Sequence, residues 1–180
     1  GFSEIAPSSL RRAAALGGDL AAVQSEYSLA TRAPALGLVQ ACAELHVSLV
    51  AFSPVGRSML TDHPVSQAVA ATLPFLGQNP RFQPEAYRAN RALSDGFRRL
   101  AAEMAVPTAA LAIAWALHQG EMILPIPGTR SVRHFQELLR GAHLTLSAED
   151  LARIEAVLPK GWAHGDRYSP SQWAGIERYC

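Results

Sequence analysis

Apolar residues along the chain fall into two kinds of run. Short, unbroken stretches occur at 21–25 (AAVQS), 48–52 (SLVAF) and 122–126 (MILPI), and each stops at a turn signal. Such runs, rich in β-branched residues and free of polar alternation, are expected of strands buried on both faces of a sheet. Between them, apolar residues recur at helical spacing. The spacing predicts a short helix over 8–16, capped by Ser8 or Ser9 and ended by Gly17-Gly18, and a helix after Pro34 that aligns Leu38, Cys42 and Leu45. Two more helices are expected at about 86–104 and 107–118, the second apolar almost all round and so deeply buried. A helix over 131–140 follows, then one starting at Ser147, where Ser147 and Asp150 make a capping-box pattern. Residues 61–84 hold four prolines and little periodicity. They read as a long irregular insertion with one short helix near 65–71, a kind of segment that often serves as a lid.

Strands alternating with helices imply a parallel sheet covered by helices, an α/β fold in a single unit over residues 1–180. Three such strands cannot close a barrel by themselves, so completion by further chain, or self-association through exposed edges, is expected.

Composition narrows the function. With 16 Lys plus Arg against 15 Asp plus Glu, no basic field points to nucleic acid or to an anionic membrane, and a small neutral or locally anionic ligand is expected. The two cysteines, Cys42 and Cys180, form neither a disulfide framework nor a metal cluster. No run approaches the roughly 18 apolar residues of a spanning helix, and a cytoplasmic setting fits.

Chemistry concentrates where strands end. SPVGR follows the apolar strand at 48–52, and GTRS at 128–131 leads straight into a helix, where free N–H groups and the Thr129 and Ser131 hydroxyls meet a positive helix terminus suited to an anion. Taken with GFSE, VQSEYSL, VAFSPVGRSML, LAIAWALHQ and ILPIPGTRSVRHFQELL in this order, the chain resembles the C-terminal half of an aldo-keto reductase over nearly its whole length. The resemblance implies a partial (β/α)8 TIM barrel, its last three βα units plus C-terminal helices, starting just after the fifth strand.

The resemblance also implies an NADP site. Phe52, where the family usually has Tyr, would stack on the nicotinamide, with Ser53, Pro54, Val55, Gly56 and Arg57 on the pyrophosphate. Arg57 is otherwise a loop arginine facing solvent. Gln24 would meet the nicotinamide carboxamide, its amide offering donor and acceptor together, or else be satisfied by backbone. Ser3 carries over as a carboxamide contact, whereas Glu4 stands where the family has Asn. Gly128, Thr129, Arg130 and Ser131 would take the 2′-phosphate, with Glu137 at the adenine ribose; Leu138 replaces an adenine-binding Asn.

The family reduces carbonyl substrates with Tyr, Lys, Asp and His from earlier strands. Here the only lysine is Lys160, beyond the last helix, so no catalytic residue is assigned. Tyr27, Tyr87, Tyr168 and Tyr179 read as core or surface, and His118 and His134 as structural. Two other readings stay open: a noncatalytic NADP-sensing subunit, and another phosphate-binding half-barrel that needs neither Phe52 nor Gln24.

Overall fold

The computed structural model describes residues 1–177; Tyr179 and Cys180 lie outside the described residues. Four parallel strands, β1 (Phe2–Ser3), β2 (Ala22–Glu26), β3 (Ser48–Phe52) and β4 (Ile123–Ile126), lie in one sheet in sequence order. The three expected strands are present, within a residue of their expected ends. The count of three is corrected to four, because Phe2–Ser3 pairs with Val23–Gln24 at the edge. Two residues are too few for any sequence pattern. Pro125 sits in the opposite edge strand, the position where a residue without an N–H is tolerated.

The helices are α1 (Pro7–Ala15), α2 (Leu38–Glu44), α3 (Gln67–Thr72), α4 (Pro84–Glu103), α5 (Thr108–His118), α6 (Val132–Ala142) and α7 (Ala148–Val157). The first begins differently from expectation: Ala6 is the N-cap and Pro7 opens the helix, while Ser9 instead donates to Glu177 at 3.0 Å. Proline at the first helical position loses no hydrogen bond, so no side-chain cap is required. The stretch after Pro34 is divided by Gly37 into a 3-10 turn and α2. Ser147 and Asp150 make the expected reciprocal capping box.

Burial of the strands is one-sided. Val23, Ser25, Leu49, Ala51 and Ile123 face the helices and are shut from solvent, whereas Leu124 and Ile126 on the other face are half exposed. Both faces are apolar, but among the described residues only one is covered. The helix layer is anchored by α5, whose residues from Thr108 to Ala116 are all buried. Beneath α2 and α5 the rings of Tyr27 and Trp115 meet at 5.7 Å, and Trp162 donates its indole N–H to Leu29 O at 2.8 Å.

The segment 61–84 is more ordered than its composition suggests. Ser66 caps α3, and two 3-10 turns follow at Leu76–Gln78 and Pro80–Phe82. The C-terminal tail holds this segment down: the buried Asn79 amide donates to Arg167 O, and Gln172 Nε2 donates to Phe75 O at 2.9 Å. Both partners lie far along the chain, so local periodicity carried no sign of the tether.

Candidate functional site

The expected site residues sit on the side of the sheet where strands end, and seven of them line two clefts: Ser3, Gln24 and Phe52 in one, Val55, Gly128, Thr129 and Glu137 in the other. The larger, about 500 Å³, is lined by Ser3, Glu4, Gln24, Phe52, Tyr168, Gly175 and Ile176. Parallel register brings this about: Ser3 pairs with Gln24, Gln24 with Val50, and Glu26 with Phe52. The Gln24 side chain stands exposed on the uncovered face, next to the half-buried Phe52 ring. An amide that both donates and accepts, beside an open aromatic face, is suited to a flat heterocycle bearing a carboxamide.

The smaller cleft, about 220 Å³, opens between the turn after β3 and the start of α6. Val55, Ser58, Thr61, Asp62 and His63 line one side; Gly128, Thr129, His134, Glu137 and Leu138 line the other, with Ala109 of α5 below. Three expected residues, Gly128, Thr129 and Glu137, therefore meet Val55. Arg130 is exposed on the same turn without lining the cleft. The hydroxyls at 129 and 131 are partly committed: Thr129 Oγ1 accepts from Ser131 N at 3.2 Å, and Ser131, the N-cap of α6, accepts from His134 N at 3.4 Å.

The turn after β3 joins the clefts. Ser53, Gly56, Arg57 and Ser58 all have positive φ, between 50° and 78°. Left-handed backbone is costly for residues with a side chain, and bonds from Gly56 N to Ser53 O and from Leu60 N to Val55 O hold it in place. Pro54 and Gly56 are buried under the turn, while Ser53 and Val55 are partly open. An added Cβ on Gly56 would make ordinary contact with Leu60 at 3.4 Å, so it is the left-handed backbone that favours glycine there.

Arg57 is not a loop arginine facing solvent. Its guanidinium pairs with the buried Glu26 carboxylate and lies over the Phe75 ring, 4.4 Å from the centroid, with Tyr168 at 5.5 Å. Glu26 also faces Arg81 at 3.5 Å and accepts from Thr31 Oγ1 at 2.9 Å. Alongside, Glu4 is buried with φ of 53°, accepts from Ser25 Oγ and Glu26 N, and pairs with Arg167. Arg167 in turn lies 4.9 Å from both Tyr168 and Trp173. Asp166, accepting from Arg167 N and from the Trp173 indole, adds a third carboxylate to three guanidiniums. The cluster is thus close to neutral, and Arg57 shares its charge with Glu26.

This cluster ties three strand-end segments to the tail, and sequence reading missed Glu4 as a structural anchor, Glu26, Arg81, Arg167 and Tyr168. The signal available was the two glutamates, one just past β1 and one at the end of β2. Burial holds the Tyr168 phenol above its ordinary pKa, and the Glu26 and Glu4 carboxylates push it the same way. Lys160 lies exposed past α7 and lines neither of the two clefts.

Among the described residues no group of three or more His, Cys, Asp or Glu side chains is placed to hold a metal ion. No single helix among them is long and apolar enough to cross a membrane.

The sequence profile described as "Aldo/keto reductase family" matches residues 1–159. The chain is similar to a probable aldo-keto reductase 1 of Glycine max, 36% identical over 168 residues, covering 93% of this chain and 48% of that protein. It is also similar to a Schizosaccharomyces pombe protein called aldo-keto reductase yakc, whose name includes NADP(+), at 33% identity over 179 residues, or 98% of this chain and 52% of that one. Among solved structures, a glycerol dehydrogenase from Gluconobacter oxydans superposes with a TM-score of 0.72 at 20% identity, over 88% of this chain and 48% of that one. A thermostable aldo-keto reductase in complex with the inhibitor epalrestat gives 0.62 at 21% identity, over 87% and 47%. The chain spans about half the length of the curated relatives it matches.

Proposed function

Because the chain belongs to the aldo/keto reductase family, we propose that it forms the cofactor-binding part of an NADP(H)-dependent carbonyl reductase and is not a reductase by itself. The observation that carries the reading is the convergence of Ser3, Gln24 and Phe52 in one cleft and of Gly128, Thr129 and Glu137 in the other, with the left-handed turn 53–58 between them. When bound, the nicotinamide supplies the hydride that reduces a small-molecule carbonyl substrate. The residues of this chain bind and orient it: Phe52 offers a face to the ring, Gln24 and Ser3 hydrogen-bond the carboxamide, Ser53 to Gly56 run along the pyrophosphate, and Gly128 to Ser131 with Glu137 hold the adenosine end. Arg57 reaches the phosphates only by sharing its pairing with Glu26. Arg130 reaches the 2′-phosphate from the solvent side, which favours NADP over NAD.

Proton donation is a separate requirement. Among the described residues Tyr168 is the phenol that lines the larger cleft, yet burial, with Glu26 and Glu4 beside it, raises its pKa, the opposite of what a proton donor at neutral pH needs. The one lysine lies elsewhere. A catalytic acid would therefore come from a preceding part of the protein, whose strands would also cover the open face of the sheet. A second copy of the chain is the other candidate to cover it, and a cytoplasmic setting suits either. The lack of a suitable acid among the described residues equally supports a noncatalytic NADP-sensing subunit.

Titrating the purified chain into NADPH and following nucleotide fluorescence, with an aldehyde turnover assay in parallel, tests the reading. Binding without turnover is the expected result, with turnover regained when a complete N-terminal half is joined on. Turnover by the pure chain would remove the claim of inactivity, and absence of any nucleotide binding would remove the cofactor role. Continued inactivity in the joined protein would favour the sensing subunit.

A further inference from the structure

The smaller cleft brings together two imidazoles from distant parts of the chain. His63, from the segment after β3, and His134, from the first turn of α6, have ring centroids 6.3 Å apart with planes inclined by 34°. Both line the cleft, over a floor of Val55, Ala109 and Leu138. Of the side chains lining it, these two alone can carry positive charge. Arg130 lies outside the lining.

The charges on the elements around the pair come from three places. The β3 segment supplies Asp62, whose carboxylate is held by Thr108 through its N–H at 3.1 Å and its hydroxyl at 2.6 Å. Helix α6 supplies Glu137 and Arg133, which lie 3.7 Å apart, and Arg133 Nη2 is 3.2 Å from His134 Nε2. The turn before α6 supplies Arg130, and α5 contributes the uncharged Ala109 to the lining. With both imidazoles neutral, the lining carries the charge of two carboxylates and is unfavourable to a phosphate. Each proton gained offsets one carboxylate.

We propose that His63 and His134 make the discrimination between NADP and NAD at this cleft depend on pH, their protonated forms receiving the 2′-phosphate. This rests on the NADP reading above. A histidine changes charge between about pH 5 and pH 8, and coupling between two bound species is reciprocal. A 2′-phosphate that binds the protonated pair must therefore raise the pair's own affinity for protons. The proton comes from solvent; when it is taken up at His134 Nε2, that atom can no longer accept from Arg133, which stays beside Glu137. NAD, with a hydroxyl in place of the phosphate, lacks the charge to drive this uptake. Arg130 provides the part of the preference that does not vary with pH.

The test measures NADP and NAD affinities of the 180-residue chain by calorimetry at about pH 6.5 and about pH 8, above the second phosphate ionisation near 6. Imidazole titrations are followed by NMR with each nucleotide bound. The NADP-to-NAD ratio is expected to be about threefold to fivefold larger at the lower pH, the size of one or two partly exposed charge pairs. NADP, and not NAD, should move the titration of at least one of the two imidazoles upward. In His63→Gln with His134→Gln the NADP-to-NAD ratio should be the same at both pH values. A ratio that does not vary with pH, a gain that survives the double substitution, or an equal imidazole shift with NAD overturns the proposal while leaving the NADP reading in place. Failure of either nucleotide to bind at any pH overturns both.

Discussion

Replacing Gly141 with Ala should destabilise the protein, although glycine inside a helix is ordinarily a weakness. Alanine at a helix interior gains about 0.8–1 kcal/mol of propensity over glycine. Here a Cβ at 141 would lie 2.5 Å from Ala110 O, 2.8 Å from Ile113 Cβ and 3.0 Å from Ala110 Cα. Two of these atoms are backbone of α5 and the third is the branch point of a buried side chain, so none can swing aside. Helix α6 would have to retreat from α5 by the best part of an ångström. Overpacking of this kind costs about 1–3 kcal/mol, and more where backbone must move. Net of propensity, a loss of about 1–2 kcal/mol is expected, or about 2–8 °C in Tm for a chain of this size. Gly96→Ala in α4 is the matched control, because its Cβ would meet only side-chain atoms, a methyl of Val157 at 3.1 Å and Arg99 Nη2 at 3.8 Å, and should leave stability near or slightly above wild type. Thermal unfolding followed by circular dichroism reads both. A Gly141→Ala protein as stable as the control would refute the close-approach argument. Because α6 carries His134, Glu137 and Leu138, the same substitution should also weaken nucleotide binding.

Three further outcomes follow from the geometry. Glu26→Ala strips the carboxylate from Arg57 and Arg81, and leaving charges buried without a partner costs about 3–5 kcal/mol, so chemical denaturation should show a large loss; a loss below about 1 kcal/mol would mean that the cluster is solvated. Arg130→Ala should weaken NADP by about 1 kcal/mol, a charge-assisted contact reduced by solvent, and leave NAD unchanged in a binding titration; equal losses for both would remove Arg130 from the phosphate. Burial pushes the Cys42 thiol up to about 11 and the Tyr27 phenol up to about 12, each a raised folded value. Their contribution to stability is thus fully present below the unfolded values and is lost as pH climbs through 9 to about 12, visible as alkaline unfolding; in that range Cys42→Ala should flatten the lower part of the decline.

The sequence by itself determined the local structure and the family. Strand 48–52 matches end for end, the capping box at Ser147 is present, and the helix expected at 107–118 is buried from Thr108 to Ala116, because each depends on residues within a few positions of one another. The placement of Gln24, Phe52, Gly128 and Thr129 at strand ends and before a helix was legible for the same reason: strand ends and helix starts are marked by short motifs. Tertiary structure decided what depends on contact between distant segments. Both faces of the strands look alike in sequence, and only the packing shows that the face with Leu124 and Ile126 is open. That Arg57 pairs with Glu26 and lies over Phe75, and so does not stand free in solvent, is seen only in the fold. The Glu4–Arg167 pair joins the two ends of the chain, and His63 meets His134 only because the turn after β3 folds against α6. Charge pairing and ring contact act over a few ångströms in space whatever the separation along the chain. No pattern in a single sequence records which partners the fold brings within that range.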